Sequence, residues 1–376
     1  MNPSQRPVFG RDVAFCLRSL LLGLLALWAC GLAAQGTLPD STGSLAAYPI
    51  GLYSSEMGIG GGGVVMLLRH PAAIPPALPP NSLLGQALYT SKGQFRGIVK
   101  PELQLRGGDY CLRADLDYKF WPDSFYGLGN HTRVSDKESF TSEGGEAEVM
   151  ALRRLPGGWG VELSGHLRRW SLSDKEEGGQ LQTADIPGGR GGGVTGLGLA
   201  VEYDTRDNTF SSSRGAYAQL RIRAYNDALG SNYDYVKYKL DARRFWSPAT
   251  HMVLGTQVLA EFIDGHPPFV EMARTGGELR GIASLRYLGK SALIARGEYR
   301  WYPFSGKLTS RLGFAAFAAA SQVTMHAQDY AWDGVTLTGG AGLRLLLLPE
   351  DRISIRLDYG ISSDDHELEI TATESF

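Results

Sequence analysis

The chain has 376 residues, a formal net charge of -2 and a mean hydropathy of -0.15, with 49 glycines, 10% aromatic and 20% charged residues. A near-neutral balance supplies no basic surface for nucleic acid. The 43% hydrophobic content excludes wholesale disorder, and the glycines follow no G-X-Y period, which excludes a collagen helix.

Residues 1–34 read as a secretory signal peptide. Arg6, Arg11 and Arg18 lead into the apolar run LLLGLLALWACGLAA, which ends at Ala34. That run is shorter than the roughly 20 residues a membrane-spanning helix needs. Cleavage near Ala34 is the simple reading; an uncleaved anchor and lipoprotein processing at Cys30 are the alternatives. Cys16 and Cys30 fall in this segment. Cys111 is then left alone, so neither an intramolecular disulfide nor a cysteine zinc site is expected. Residues 35–45 form a short linker ahead of the folded part.

Period-2 alternation follows along the rest of the chain. In YCLRADLDYKF, Leu112, Ala114, Leu116 and Tyr118 oppose Arg113, Asp115, Asp117 and Lys119. In AYAQLRIRAY, Leu220 and Ile222 oppose Arg221 and Arg223. In YVKYKLDARRFW, Val236, Tyr238 and Leu240 oppose Lys237, Lys239 and Asp241. In RISIRLDYG, Ile353, Ile355 and Leu357 oppose Ser354, Arg356 and Asp358. Strands place successive side chains on opposite faces, so these are strands with one apolar and one polar face. No later window is apolar long enough for a membrane helix.

Short spacers (at Gly107, Pro156, Ser247, Pro303 and Pro349) alternate with long ones near 120–138, 174–194, 265–288 and 322–334. Strands of about 10 residues with short turns at one end and long loops at the other read as an all-β transmembrane antiparallel barrel. Residues 46–376, at roughly 20 per strand and connection, give about sixteen strands. An even number places both termini on the periplasmic side. The last strand, HELEITATESF, puts Leu368, Ile370 and Phe376 on one face, with the terminal aromatic expected at the membrane interface.

Several motifs carry no chemistry. GIGGGG and GGRGGG lack the Lys-Ser/Thr and strand–helix context of a phosphate loop. Ser164 and His166 share a strand face, but their spacing of about 7 Å is too long for a base–nucleophile contact. No HExxH or GxSxG sequence occurs. The reading is therefore not an enzyme, with no cofactor and no metal. In AAYPIGLY, Pro49 cannot donate to a ladder. A weak seam against the last strand and a tight barrel with local bulges both fit that segment.

In combination, the motifs resemble the BamA/TamA family of outer-membrane barrels. GLGLAVEYDTRDNTFSSSRGAYAQLRI resembles its strand–turn–strand motif. LRGI (279–282) resembles the Arg-Gly motif at the tip of its in-folded loop. GEYRW and GGAGLRLLLLPEDRISIRLDYG resemble the following strand and the C-terminal hairpin, and Phe376 the assembly signal with Leu368 and Ile370. The resemblance implies an outer-membrane location and a long loop folded into the lumen. It further implies a role in protein assembly or translocation, as a short or accessory form without the usual POTRA domains. Membrane lipid, the barrel-assembly machinery and unfolded outer-membrane or exported proteins are the implied partners, and no nucleic acid. A passive channel and a structural surface protein are the alternatives.

A lumen arginine is always charged and needs a partner. Arg280, beside Gly281, is therefore expected to pair with Glu298 on the next strand and lock the loop; an exposed loop tip is the alternative. The resemblance normally supplies an aspartate to help hold this arginine, but here Ala319 stands in its place, with Ser321 where a glycine is usual. Asp204, Arg206, Asp207 and Asn208, closed by Gly215, read as a rigid periplasmic turn with an internal Arg–Asp pair. Binding of a partner is the second reading of that turn.

Overall fold

The computed structural model describes residues 42–376 apart from 55–56, 76–77, 307–308, 350, 364–365 and 373. The expected signal peptide and residues 35–41 of the expected linker lie outside the described residues. The first half of the barrel is β1 (Thr42–Ser54), β2 (Gly58–His70), β3 (Asn81–Thr90), β4 (Phe95–Leu105), β5 (Tyr110–Phe125), β6 (Glu138–Arg154), β7 (Trp159–Ser173) and β8 (Gly192–Asp204). The second half is β9 (Gly215–Tyr225), β10 (Tyr235–Trp246), β11 (Met252–Gly265), β14 (Ser291–Trp301), β15 (Leu312–Thr324), β16 (Thr336–Leu348), β17 (Ile353–Ser362) and β18 (His366–Ala372). Neighbours pair antiparallel in chain order, and β18 closes on β1, giving sixteen strands in the ring. Two short strands, β12 (Ala273–Arg274) and β13 (Leu288–Gly289), pair inside the connection from β11 to β14. The barrel opens at Thr42, ahead of the expected start at residue 46; Ala46 lies within β1, opposite Met66.

The two strand faces are inverted relative to a soluble protein. Leu163, Leu197, Leu199 and Leu220 point outward and are exposed, whereas Glu298, Arg300, Arg344 and Asp358 point inward and are buried. Lipid demands this arrangement: apolar side chains outside, and every backbone group satisfied within a closed ring. Connections of four or five residues join β4 to β5, β6 to β7, β10 to β11 and β16 to β17 at one end, as expected. Three longer connections, 71–80, 205–214 and 302–311, also lie at that end, the last where a short spacer at Pro303 was expected, and the opposite end has short connections of its own at 55–57, 91–94 and 363–365.

The connection 266–290 turns into the barrel and fills its upper half. Phe269 and Leu288 are fully buried among Phe125, Phe140, Val194 and Ile263. Phe269 meets Phe125 and Phe140 edge-on, at centroid distances of 5.4 and 5.9 Å. Such aromatic pairs contribute about 0.5–1.5 kcal/mol each beyond their buried area.

Closure between β1 and β18 is uneven. The ladder runs only from Gly51↔Ile370 to Ser54↔Glu367, whereas β1 pairs with β2 along its whole length. Below Gly51, β1 has no ladder partner on β18 among the described residues. There an apolar cluster takes over, joining Ala46, Tyr48, Ile50, Met66 and Leu68 to Leu347, Leu348, Ile353 and Ile355.

The C-terminus departs from the expected strand. The ladder ends at Ala372, and residues 374–376 leave it for the lumen. Leu368 is 38% exposed, but Phe376 is 7% exposed, stacked on Phe245 at 6.2 Å and lying 4.8 Å from the Arg296 guanidinium. The terminal aromatic is therefore not at the membrane interface, and it does not share a face with Leu368 and Ile370. The physical reason is Glu374. A carboxylate on the lipid face is costly, and turning inward brings it to Arg344 at 2.9 Å and Arg300 at 3.5 Å.

Candidate functional site

The in-folded connection lies directly on β17. Gly281 has φ +85°, and a Cβ there would stand 3.0 Å from the backbone of Gly360 and Ile361. Glycine is required at this position for both its conformation and its space. The Ser362 hydroxyl donates to the Gly281 carbonyl at 2.6 Å.

This close contact delivers Arg280 to the inner wall. Its Nη2 lies 2.8 Å from Glu298 Oε2 and its Nη1 2.5 Å from Asp358 Oδ2. Its guanidinium also covers the ring of Phe317, 3.3 Å from the centroid. Neither carboxylate serves Arg280 alone. Glu298 also takes Arg300 at 2.8 Å and Arg344 at 3.4 Å. Asp358 takes Arg344 at 2.5 Å and Arg356 at 2.7 Å. Glu374 and Glu369 complete the array, the latter 3.0 Å from Arg356. Four arginines thus alternate with four carboxylates drawn from the loop, β14, β16, β17, β18 and the C-terminal tail. Buried charge is tolerable only when paired in this way.

Asp358 was not singled out in the sequence. It supplies the carboxylate that Ala319 and Ser321 cannot. Both of those side chains sit on β15, with Ala319 packed against the upper apolar core. The signal for Asp358 was present, since it shares the polar face of its strand with Arg356.

The turn after β8 reaches the same array. Asp204 and Arg206 pair at 2.6 Å. Asn208 Oδ1 accepts from the backbone N–H of Phe210 and Ser211, both at 2.8 Å, while its Nδ2 donates to Asp351 O at 3.2 Å. Arg300 donates to Ser212 O at 3.2 Å, and Glu374 N donates to Phe210 O at 3.3 Å. Gly215 opens β9 at φ +98°. Because β8 and β9 stand five to seven places round the ring of sixteen from β16 and β17, this connection crosses the barrel floor. Asp207 lies in it, 2.7 Å from Arg352. Burial alone would raise its carboxyl, but hydrogen bonds from Ser213, Arg352 and the Arg214 backbone outweigh burial and hold it down to about 2.

On the other side of the loop a cavity of about 580 Å³ separates it from the wall of β3 to β6, lined by Arg96, Asp117, Lys119, Glu146 and Arg274. Further round, Arg113, Glu162, Arg221, Glu148 and Arg223 form a continuous chain of ion pairs. His166 bonds Glu146 at 2.9 Å and the Tyr225 hydroxyl at 3.0 Å; Ser164 is not a partner of its ring. Among the described residues, no group of three His, Cys, Asp or Glu side chains could hold a metal ion.

The model of the Omp85 superfamily domain matches residues 193–371. Among solved structures the chain is similar to BamA from Haemophilus ducreyi lacking POTRA domains 1–3, at TM-score 0.55 and 13% identity, covering 89% of this chain and 70% of that one. It is also similar to CdiB from Escherichia coli at TM-score 0.57 and 14% identity, covering 89% and 64%. CdiB from Acinetobacter baumannii matches at 0.53 and 10%, covering 89% and 65%. Residues 193–371 thus match an Omp85 superfamily domain, and the chain shares the barrel fold of BamA and CdiB. It spans less than two thirds of the length of both CdiB chains. No curated protein matches its sequence.

The matched segment begins in β8 and ends in β18. It therefore contains the floor-crossing turn, the in-folded loop and seven of the eight charged groups of the array; Glu374 alone lies beyond it. The first seven strands, among them the cavity wall of β3 to β6, lie outside the match.

Proposed function

We propose that this barrel assembles or translocates polypeptide at the outer membrane, using the β1–β18 junction as its working edge and the Arg280-anchored loop as its internal plug. The observation that carries this reading is the short ladder between β1 and β18. Backbone groups left without a ladder partner in β1 are a template for an added strand. The Asp204–Gly215 turn is assigned to bracing the floor, and Leu368, Ile370 and Phe376 to docking with the machinery that inserts the barrel itself. Unfolded outer-membrane or exported proteins are the proposed cargo. A plugged lumen argues against a passive channel, which would need a continuous polar path.

The test combines depletion with a cross-link. Depletion is expected to leave unfolded outer-membrane or exported proteins in the periplasm. A Gly51→Cys/Ile370→Cys double variant, at directly opposed positions, is expected to rescue only when reduced. Rescue by the oxidised form would remove the seam from the mechanism. A large steady conductance in planar bilayers, without accumulation of unfolded proteins, would favour the channel instead.

A further inference from the structure

The outer face at the short-turn end carries a feature that none of the transport reading uses. Arg106, in the turn between β4 and β5, and Arg153, at the end of β6, both lie over the ring of Tyr110. Their guanidinium carbons stand 5.4 and 5.9 Å from its centroid. Tyr110 and Arg153 are direct cross-strand partners on the outward face. Both arginines are exposed and Tyr110 is half-buried. Neither guanidinium pairs with a carboxylate among the described residues, and Asp109, the one carboxylate of that turn, makes no ion pair with them. Arg106 moreover holds φ +50°, a left-handed conformation that a side-chain-bearing residue adopts at a cost.

Two like charges gathered on one ring repel each other unless an anion sits between them. What lies beside them identifies the anion. One step along the strands towards the membrane centre are Leu112 and Ala151, and on β7 the exposed Val161 and Leu163 continue the apolar strip. Trp159, tilted against Tyr203 at a centroid distance of 5.1 Å, marks the same level as an interfacial aromatic pair. A cationic notch under an apolar strip at the membrane boundary matches an amphiphile with an anionic head. We propose that Arg106, Tyr110 and Arg153 bind the phosphate headgroup of an anionic glycerophospholipid in the inner leaflet, with its acyl chains along Leu112, Ala151 and Leu163. Charge-assisted bonds from arginine to phosphate oxygens hold the head, and the tyrosine ring fixes the two guanidiniums beside each other.

The proposal needs no assumption about cargo. Its test also has no membrane sidedness, so it stands apart from the transport reading. The full-length barrel is purified in detergent with mixed phosphatidylglycerol and phosphatidylcholine, and retained lipid is counted by native mass spectrometry. Each arginine near an anionic surface contributes enough for about a five-fold preference, so the Arg106→Gln/Arg153→Gln variant is expected to lose about thirty-fold in phosphatidylglycerol preference. Arg244→Gln, which removes an exposed rim arginine lying alone over Trp246 at 5.7 Å, is expected to keep it. Unchanged heat-modifiable migration on gels shows that each variant is folded. Equal retention by the double variant overturns the proposal. An equal loss in Arg244→Gln overturns it too, by assigning the effect to rim charge in general. Displacement of the lipid by millimolar inorganic phosphate would show a plain anion site and remove the lipid from the assignment.

Discussion

Replacing Arg280 by alanine tests what holds the loop inside the barrel. The substitution deletes two charge-assisted bonds, at 2.8 and 2.5 Å, and the contact over Phe317. Two such bonds contribute about 3–6 kcal/mol in total. The lower part of that range applies, because Glu298 and Asp358 keep Arg300, Arg344 and Arg356 and neither is left as an orphan charge. A loss of about 3 kcal/mol corresponds to roughly a hundred-fold rise in the population of the undocked loop. Hydrogen exchange by mass spectrometry reads this directly, since local opening sets the rate of exposed amides. Amides of 276–286 are expected to exchange about a hundred-fold faster while those of β9 to β11 stay protected. Wild-type rates in the loop, with the barrel intact, would refute the assignment of Arg280 as its anchor.

Gly360→Ala approaches the same docking from the other side. A Cβ there falls 2.7 Å from Arg280 Cβ and 3.0 Å from its backbone carbon, so loop exchange is expected to rise although no charge is lost; unchanged exchange would show that the wall can shift to make room. Phe376→Ala removes a buried ring from Phe245 and Arg296 and is expected to cost about 3–5 kcal/mol. The midpoint temperature of the heat-modifiable form should fall clearly, and a wild-type midpoint would contradict a lumenal role for the tail. Asp207 has its carboxyl held near 2, below its ordinary value of about 3.9. Its contribution is therefore full above about 3.9 and lost only as pH falls through about 2. A carboxyl NMR titration should place its midpoint there, whereas a midpoint near 4 would mean that the Ser213 and Arg352 contacts do not persist in solution.

Much of this architecture was legible because lipid imposes a simple code on each strand. Leu220 and Ile222 outward against Arg221 and Arg223 inward can be read from a window of ten residues. The Arg280–Glu298 contact was also within reach, since an arginine on an in-folded loop needs an acid on a neighbouring polar face. Asp358 was harder. Its strand face was evident, but its meeting with Arg280 depends on the path of the loop across β17, and no local pattern encodes that path. The C-terminal tail misled for a related reason. HELEITATESF returns to an apolar residue at Phe376, in phase with Leu368 and Ile370 after one break at Glu374, so periodicity alone continues the strand to Phe376. What ends it is the attraction of Glu374 to Arg300 and Arg344, residues 74 and 30 positions earlier in the chain.

Glu367 Oε2 accepts from the backbone N–H of Gly281 at 3.2 Å, and Arg356 reaches Glu369. Both acids belong to β18, the strand that closes the ring. The plug is thus fastened to β18 through Glu367 and to β17 through Ser362, and Arg356 ties those two strands together. Displacing β18 from β1 must work against these bonds, and lifting the loop must loosen β18. Such coupling is reciprocal by thermodynamic necessity. In the proposed mechanism, a ligand that captures the β1 edge and a force that extracts the loop should each lower the cost of the other.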